Sequence, residues 1–251
     1  LITIITPFFN SKETFNRTFL SVISQSYSDF KWLIVDDGSN SDQHQWLLKL
    51  TSLDPRVEVM KNQCGKGAGG ARNTGLKGCK TSFVTFIDSD DTWDKDFLNT
   101  VVSGLEAGFP AITTGYRRMD ENAASRGEFL PKRVVYLEQI GRGCDVSCLS
   151  TAYNLDYCNE LPLFGEVKAR NDLYFVFNFL RQNNYVVPVP IILATYYVGQ
   201  SSISSNKFRL VKYMYQYSRS LGFGPFRSCF EVLIWAIYGV KKYWRRYWPL
   251  K

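Results

Sequence analysis

Histidine is almost missing from these 251 residues: His44 is the only one. A Ser-His-Asp triad would have to use that residue, and a metal site with several imidazole ligands is impossible. Any metal must then be held by oxygen ligands. The six cysteines (Cys64, Cys79, Cys144, Cys148, Cys158, Cys229) form no C-x-x-C pair and no regular framework. A chain of this length does not need covalent staples, so free thiols in a reducing cytosol are expected. Long apolar runs are missing too. Nothing approaches the roughly 20 apolar residues that cross a bilayer, and residues 1–9 enter a strand pattern with no basic stretch before it, so neither a signal peptide nor a transmembrane helix is expected. No internal repeat and no low-complexity linker occurs.

What is present is ordinary globular composition, 45% hydrophobic and 21% charged, enough for one large domain with an appendage. The formal net charge of +7 is unevenly placed: residues 207–251 hold ten bases and one acid, Glu231, so that segment carries +9 and the remainder −2. The positive charge belongs to the tail.

Residues 1–9 (LITIITPFF) are β-branched and aromatic and read as a buried strand leaving its sheet at Pro7. Phe15, Phe19, Val22 and Ile23 then recur at helical spacing over 13–25, and 31–35 (KWLIV) is a second apolar strand running into Asp36-Asp37-Gly38-Ser39. The cycle repeats with a helix near 42–51, a strand at 57–60, a glycine-rich loop at 65–70, a helix from about 70 to 79 and a strand at 83–87. Such βαβαβαβ alternation implies a mostly parallel, Rossmann-like sheet flanked by helices, with its ligand site off the carboxyl ends of the strands. Asp36, Asp37, Asp88, Asp90 and Asp91 all lie at such ends. Beyond residue 120 the pattern loosens to a short strand near 133–136 and helices around 138–149 and 170–182. The expected division is one domain over 1–205, in two halves, 1–118 and 119–205, followed by a basic, aromatic helical extension over 206–251.

Asp88-Ser89-Asp90-Asp91 places three carboxylates just past an apolar strand. Crowded carboxylates raise one another's pKa unless a cation sits among them, and Mg²⁺ or Mn²⁺ with an oxygen shell suits that place. A solvated turn capping the next helix is the plainer alternative. Gly65-Lys66-Gly67-Ala68-Gly69-Gly70 fits G-x-G-x-x-G, with acids about 20 residues on, as in a dinucleotide fingerprint. That fingerprint belongs after the first strand of its unit, whereas this loop follows the third. A Walker A loop is excluded.

Thr6-Pro7-Phe8-Phe9-Asn10, Gln25-Ser26-Tyr27, Val35-Asp36-Asp37-Gly38-Ser39, Gly70-Ala71-Arg72-Asn73-Thr74-Gly75 and Phe86-Ile87-Asp88-Ser89-Asp90-Asp91 together resemble, in order and spacing, the inverting family-2 glycosyltransferases of GT-A fold. The resemblance is dense over 1–100 and thin over 150–205. It implies that Pro7, Phe9 and Asp36, with Asp37 nearby, hold the uridine of a nucleotide-sugar donor. Arg72 would face the diphosphate or sugar, Asp88 the ribose or metal, and Asp91 the donor sugar, while Asp90 would ligate Mn²⁺ or Mg²⁺. The family's acidic pair at a later helix start is matched by Asn171-Asp172, which leaves Asp172 as the implied general base and Glu166 in reserve. Residues 196–204 resemble the family's Tyr-Arg-x-His-x-x-Ser-x-Ser region without its arginine and histidine. The implied reaction is a single inverting displacement onto a hydroxyl of a saccharide or lipid-linked saccharide, with 1–118 as the nucleotide-sugar half and 119–205 as the acceptor half of the GT-A catalytic domain.

Two other classes stay open. A nicotinamide-dependent oxidoreductase would use the 65–70 loop, and a nucleic-acid-binding protein would use the tail, although the acid cluster would repel a polyanion, so no nucleic acid is expected. The tail fits an anionic membrane surface better. Phe230, Leu233, Ile234 and Ile237 share a helical face, Lys241, Lys242, Arg245 and Arg246 follow, and Trp235, Trp244 and Trp248 suit a headgroup boundary. A peripheral position on the cytoplasmic face of the membrane is expected.

Overall fold

The computed structural model describes residues 1–142, 146–165, 171–198 and 207–247. Glu166 and the 199–204 part of the later motif lie outside the described residues, as does Trp248, and so do the side chains of Lys241, Lys242, Trp244, Arg245 and Arg246.

The first half follows the expected alternation. Strand β1 (Ile2–Phe8) leads through α1 (Lys12–Ile23) to β2 (Phe30–Asp36), through α2 (Ser41–Thr51) to β3 (Val57–Lys61), and through α3 (Ala68–Gly78) to β4 (Phe83–Phe86). All four are parallel, with β1 between β2 and β4. Every residue of β1 is buried, which its unbroken apolar run requires when helices cover both faces. Ile2, Ile4 and Phe8 point to one side, with Phe15 and Phe19 of α1, Trp32 and Leu47. Ile5 and Leu33 point to the other, with Leu76 of α3.

The second half is less regular. After β5 (Thr92–Trp93) and α4 (Phe97–Glu106) come β6 (Ala111–Asp120), β7 (Ser125–Phe129), β8 (Thr151–Asn154), α5 (Asn171–Leu180) and β9 (Val187–Val198). The sheet runs β3-β2-β1-β4-β8-β6-β9-β5, with β7 against β6. Pairings β4–β8 and β6–β8 are antiparallel while β6–β9 is parallel. The strand expected at 133–136 shrinks to one bridge, Val135 to Val186. Over 138–149 the described residues form 3₁₀ turns, Leu137–Arg142 and Cys148–Ser150, in place of the expected helix. Gly141 and Gly143 weaken a helix there, and buried Leu149 and Ser150 deliver the chain into β8.

Helices α6 (Lys207–Ser220) and α7 (Pro225–Tyr247) follow. Val232 and Trp235 of α7 pack with Tyr174 and Leu221 against Leu173, Met214 and Tyr217, so Trp235 faces the protein and not a headgroup layer. The opposite side of α7 bears a stripe of Phe226, Phe230, Leu233 and Ile237, which are 91%, 59%, 56% and 48% exposed. Among the described residues no helix is long and apolar enough to cross a membrane.

Candidate active site

The carboxyl ends of β1, β2 and β4 bring the candidates to one edge of the sheet. Pro7 is buried in β1 beside Val35, and Phe9, just beyond the strand, is half exposed with the Lys66 ammonium 5.7 Å from its ring centre. The two acids after β2 turn opposite ways. Asp36 is buried, its Oδ1 accepting from the Ser39 N–H at 2.9 Å and its Oδ2 lying 2.7 Å from His44 Nδ1. The one histidine thus serves as a strut between turn and helix. Asp37 accepts from the Gly67 N–H at 2.8 Å and from Asn62 Nδ2 at 2.5 Å, pinning the glycine loop.

That loop is glycine-rich because other backbone crosses it. A Cβ at Gly70 would lie 1.5 Å from the Gly65 carbonyl oxygen, and one at Gly69 would lie 2.9 Å from that of Gly165 and 3.0 Å from Asn171 Nδ2. These approaches set the start of α3 against the start of α5, so two positive helix ends meet. Close packing explains Gly69 and Gly70, and a φ of 110° explains Gly67, without a dinucleotide.

Arg72, on the first turns of α3, is buried and ion-paired with Asp88. Its Nη1 lies 3.5 Å from Asn171 Oδ1, its Cζ lies 5.2 Å from the Phe164 ring centre, and its Nε has no partner. Burial is the largest influence and opposes the guanidinium charge, but Asp88, Cys148 and Asp172 together outweigh it, and Arg72 holds its proton more tightly than usual. Burial, reinforced by Asp88, pushes Asp90 up to about 6. Asp91 is raised well above the ordinary carboxylate range by burial first and by Asp90 and Asp88 next, and its Oδ1 accepts from the Tyr197 N–H at 2.9 Å. Asp172, in the first turn of α5, is near enough for its charge to act on Arg72. The structure therefore gathers Arg72, Asp88, Asp90, Asp91 and Asp172, while Phe9 and Asp37 stand at a second spot along the same edge and Asp36 faces inward.

Sequence reasoning passed over two residues here. Cys148 is half-buried beside this group, and burial first, then Asp88, Asp172 and Asp91 against the pull of Arg72, drive its thiol pKa upward, which disfavours the thiolate. Arg17, on α1, is the cation beside the described end of β9, its Cζ 3.6 Å from the Tyr197 ring centre. Nothing local in the sequence marks Cys148; Arg17 is a base on the polar side of an amphipathic helix.

Among the described residues no three His, Cys, Asp or Glu side chains converge to cage an ion by themselves. The donor set fits a different kind of site. Mg²⁺ and Mn²⁺ are commonly held by one or two carboxylates plus substrate phosphate and water, and Asp90 is a crowded carboxylate with a raised pKa, the condition a cation relieves. Asp90, with Asp88 beside it, could hold such an ion once a diphosphate completes the shell.

An open cleft of about 1400 Å³ runs over the start of α3, walled by Phe9, Asp37, Lys66, Asn73, Phe164 and Tyr174 among others. It takes in the Phe9–Asp37 end and Asn171, whereas Arg72, Asp88, Asp90, Asp91 and Asp172 are not among its walls. The chemistry is placed by the charged group rather than by this volume.

The sequence pattern of glycosyl transferase family 2 matches residues 3–148. Over 97% of its length the chain is 28% identical to the UDP-Glc:alpha-D-GlcNAc-diphosphoundecaprenol beta-1,3-glucosyltransferase WfgD of Escherichia coli, covering 95% of that protein. It is 27% identical to the putative teichuronic acid biosynthesis glycosyltransferase TuaG of Bacillus subtilis, over 92% of this chain and 93% of TuaG. Among solved structures, S. aureus TarS 1-349 in complex with UDP-GlcNAc superposes with a TM-score of 0.68 at 18% identity, over 92% of this chain and 70% of that one. The mannosyltransferase PcManGT of Pyrobaculum calidifontis, in complex with GDP-Man and Mn²⁺, gives 0.66 at 15% identity, over 94% and 73%. These likenesses carry the GT-A fold.

Proposed function

This chain belongs to glycosyl transferase family 2, and from that premise we propose that it moves a sugar from a UDP-sugar to a hydroxyl of a lipid-linked saccharide in cell-surface polysaccharide synthesis. The observation that carries the reading is the convergence of two helix N-termini with the buried Arg72, which pairs with Asp88 and feels the charge of Asp172, and the raised Asp90 carboxylate beside Asp88. Two helix N-termini and a guanidinium suit a leaving diphosphate, and a carboxylate at the start of α5 suits an attacking hydroxyl. WfgD, whose name gives UDP-Glc and a diphosphoundecaprenol-linked sugar, supports the choice of donor and acceptor class. The oxidoreductase and nucleic-acid readings lose their motive: close approaches at Gly69 and Gly70 and the positive φ of Gly67 account for those glycines, and the family for the acids.

In the proposed mechanism Phe9 and Asp37 take the uracil end at the mouth of the cleft. Pro7 and Asp36 hold the shape of that pocket, Asp36 having both oxygens engaged by Ser39 and His44. The N–H groups at the start of α3, with Arg72 behind them, face the diphosphate. Asp91, fixed to Tyr197, borders the donor sugar. Asp90 and Asp88 would hold Mn²⁺ or Mg²⁺, which when bound supplies positive charge for the departing diphosphate. Asp172 takes the proton of the acceptor hydroxyl as its oxygen bonds to the anomeric carbon and the carbon–phosphate-oxygen bond breaks. Attack opposite the leaving group inverts the anomeric centre. The neutral Asn171, in place of a second acid, leaves Asp172 as the single carboxylate at this helix start.

We also assign the exposed stripe of α7, with the basic 207–251 segment, to an anionic membrane surface on the cytoplasmic side, where a lipid-linked acceptor would lie. An apolar stripe with bases on one helix suits the headgroup boundary. The reading is tested by incubating the enzyme with UDP- and GDP-sugars and a diphosphate-lipid-linked N-acetylhexosamine, with and without Mn²⁺. Transfer from one UDP-sugar, dependent on Mn²⁺, is expected. Transfer from no donor, or equal rates in chelator, would overturn the sugar-transfer or the metal part respectively.

A further inference from the structure

The segment that carries the acids has one turn bond of its own, from the Asp91 N–H to the Asp88 carbonyl at 3.3 Å, and takes further support from outside. Helix α1 buries Phe15, Phe19 and Val22 on one side, and its other side lays a row of polar groups along the backbone that follows β4. Ser89 Oγ lies 2.9 Å from Ser11 Oγ, and Thr14 Oγ1 donates to the Ser89 carbonyl at 3.1 Å. Arg17 Nε donates to the Asp90 carbonyl at 2.9 Å, and Thr18 Oγ1 to the Asp91 carbonyl at 2.7 Å. Ser21 Oγ accepts from the Trp93 N–H at 3.3 Å, and Gln25 Nε2 donates to the Asp94 carbonyl at 2.9 Å. The two chains advance together. Thr14 to Ser21 lie on α1 and Gln25 just past its end, while the segment turns at Ser89 and Asp90 and then runs extended through Thr92 and Trp93. One helix face can therefore satisfy the segment residue by residue.

Arg17 differs from its neighbours in this row. It is the one charged member, and it reaches past the Asp90 carbonyl to lie flat on Tyr197, 3.6 Å from the ring centre. The Tyr197 N–H in turn holds Asp91 Oδ1. Arg17 thus closes a ring that runs from α1 through Asp90 and Asp91 to the end of β9 and back. Its positive charge acts on both carboxylates, and the planar guanidinium can stack and donate at once, which an ammonium cannot.

We propose that Arg17 is a positioning residue for the donor-binding centre, holding Asp90 and Asp91 through backbone and stacking contacts so that their carboxylates face one donor diphosphate. The proposal rests on the reading of Asp90 as a cation-holding residue for its effect on binding, but not for its effect on the segment itself.

Two measurements separate these levels. Amide hydrogen exchange without metal reads the segment directly. Arg17→Ala should speed exchange of the amides over 89–92 at least tenfold and leave β1 and β2 unchanged; unchanged exchange over 89–92 would overturn the proposal whatever the metal does. UDP titrations with and without Mn²⁺ read the consequence. Loss of a group supporting a metal ligand commonly costs 10–100-fold in metal affinity, so Arg17→Ala should weaken the Mn²⁺-dependent UDP affinity by about tenfold or more and leave the metal-free affinity within about twofold. Arg17→Lys should recover part of that loss. Equal weakening in both titrations would reduce Arg17 to a general structural contact. Should the alanine variant not fold, Arg17→Lys carries the same two measurements, with a loss of about threefold or more confined to the Mn²⁺ arm; unchanged values in both measurements would overturn the proposal. If the wild type itself shows no Mn²⁺ dependence while exchange still quickens, the metal reading of Asp90 fails and the positioning role stands.

Discussion

Two regions meet at the candidate site and are built differently. In residues 1–86 successive parallel strands are joined through one helix each, α3 carrying the chain from β3 back across the sheet to β4 beside β1, and the proposed nucleotide contacts hang on turns directly beyond those strands. In residues 111–198 the strands interleave out of sequence, β8 entering between β4 and β6 and β9 pairing with β6 from more than seventy residues away. Asp172 is accordingly placed by long-range packing, Leu173 beside it anchoring α6 and α7. The contrast implies a division of labour: the first region should set donor affinity, and the second turnover.

The sharpest way to break that division is Asp172→Asn. Loss of a general base costs roughly 100-fold or more in rate, so transfer should fall by at least that factor with UDP affinity unchanged. A parallel fall in UDP affinity would place Asp172 among the donor contacts. Next in size is Gly70→Ala, whose new Cβ would lie 1.5 Å from the Gly65 carbonyl. The loop must move, at a cost on the order of 1–3 kcal/mol typical of overpacking. UDP affinity should drop about tenfold and turnover at saturating donor should stay within a few-fold; a change in turnover alone would blur the two regions. The smallest catalytic effect belongs to Phe230→Glu with Leu233→Glu, both on the exposed stripe of α7. Each removes an apolar side chain worth about 1.5–3 kcal/mol when buried, so co-sedimentation with anionic vesicles should weaken at least tenfold while donor hydrolysis in solution is unaltered. Undiminished sedimentation would remove α7 from the membrane.

The same contrast explains what could be read from the sequence. Over 1–86 the apolar strands, helical spacing and strand-end acids are local signals, and α3 and α5 also lie where their patterns indicate. The helix expected over 138–149 is replaced among the described residues by 3₁₀ turns, from which Ile140 and Val146 reach one core cluster and Leu149 the other. The strand β9 contains Pro188 and Pro190, which weaken a strand signal, and it forms through its pairing with β6. Within the site the acids were legible by their clustering. The opposite orientations of Asp36 and Asp37 were not, because they depend on His44 and Gly67. Nor was the use of Gln25, whose amide holds the Asp94 carbonyl and the Leu98 N–H across more than sixty residues.

The most direct test of the proposed chemistry is the binding of UDP with and without Mn²⁺, by calorimetry at pH 5 and pH 7, for the wild type and Asp90→Asn. Asp90 is raised from 3.8 to about 6 in the folded chain by burial and by Asp88. A carboxylate raised in this way favours the metal-free fold fully below about pH 4, and its contribution is lost as pH rises through about 6. A bound cation reverses that preference, because it competes with the proton. In the wild type, Mn²⁺ should strengthen UDP binding at pH 7 and do so about tenfold less at pH 5, whereas Asp90→Asn should bind UDP equally with and without Mn²⁺ at both pH values. Metal-dependent UDP binding that survives undiminished in Asp90→Asn would contradict the assignment of the cation to this centre.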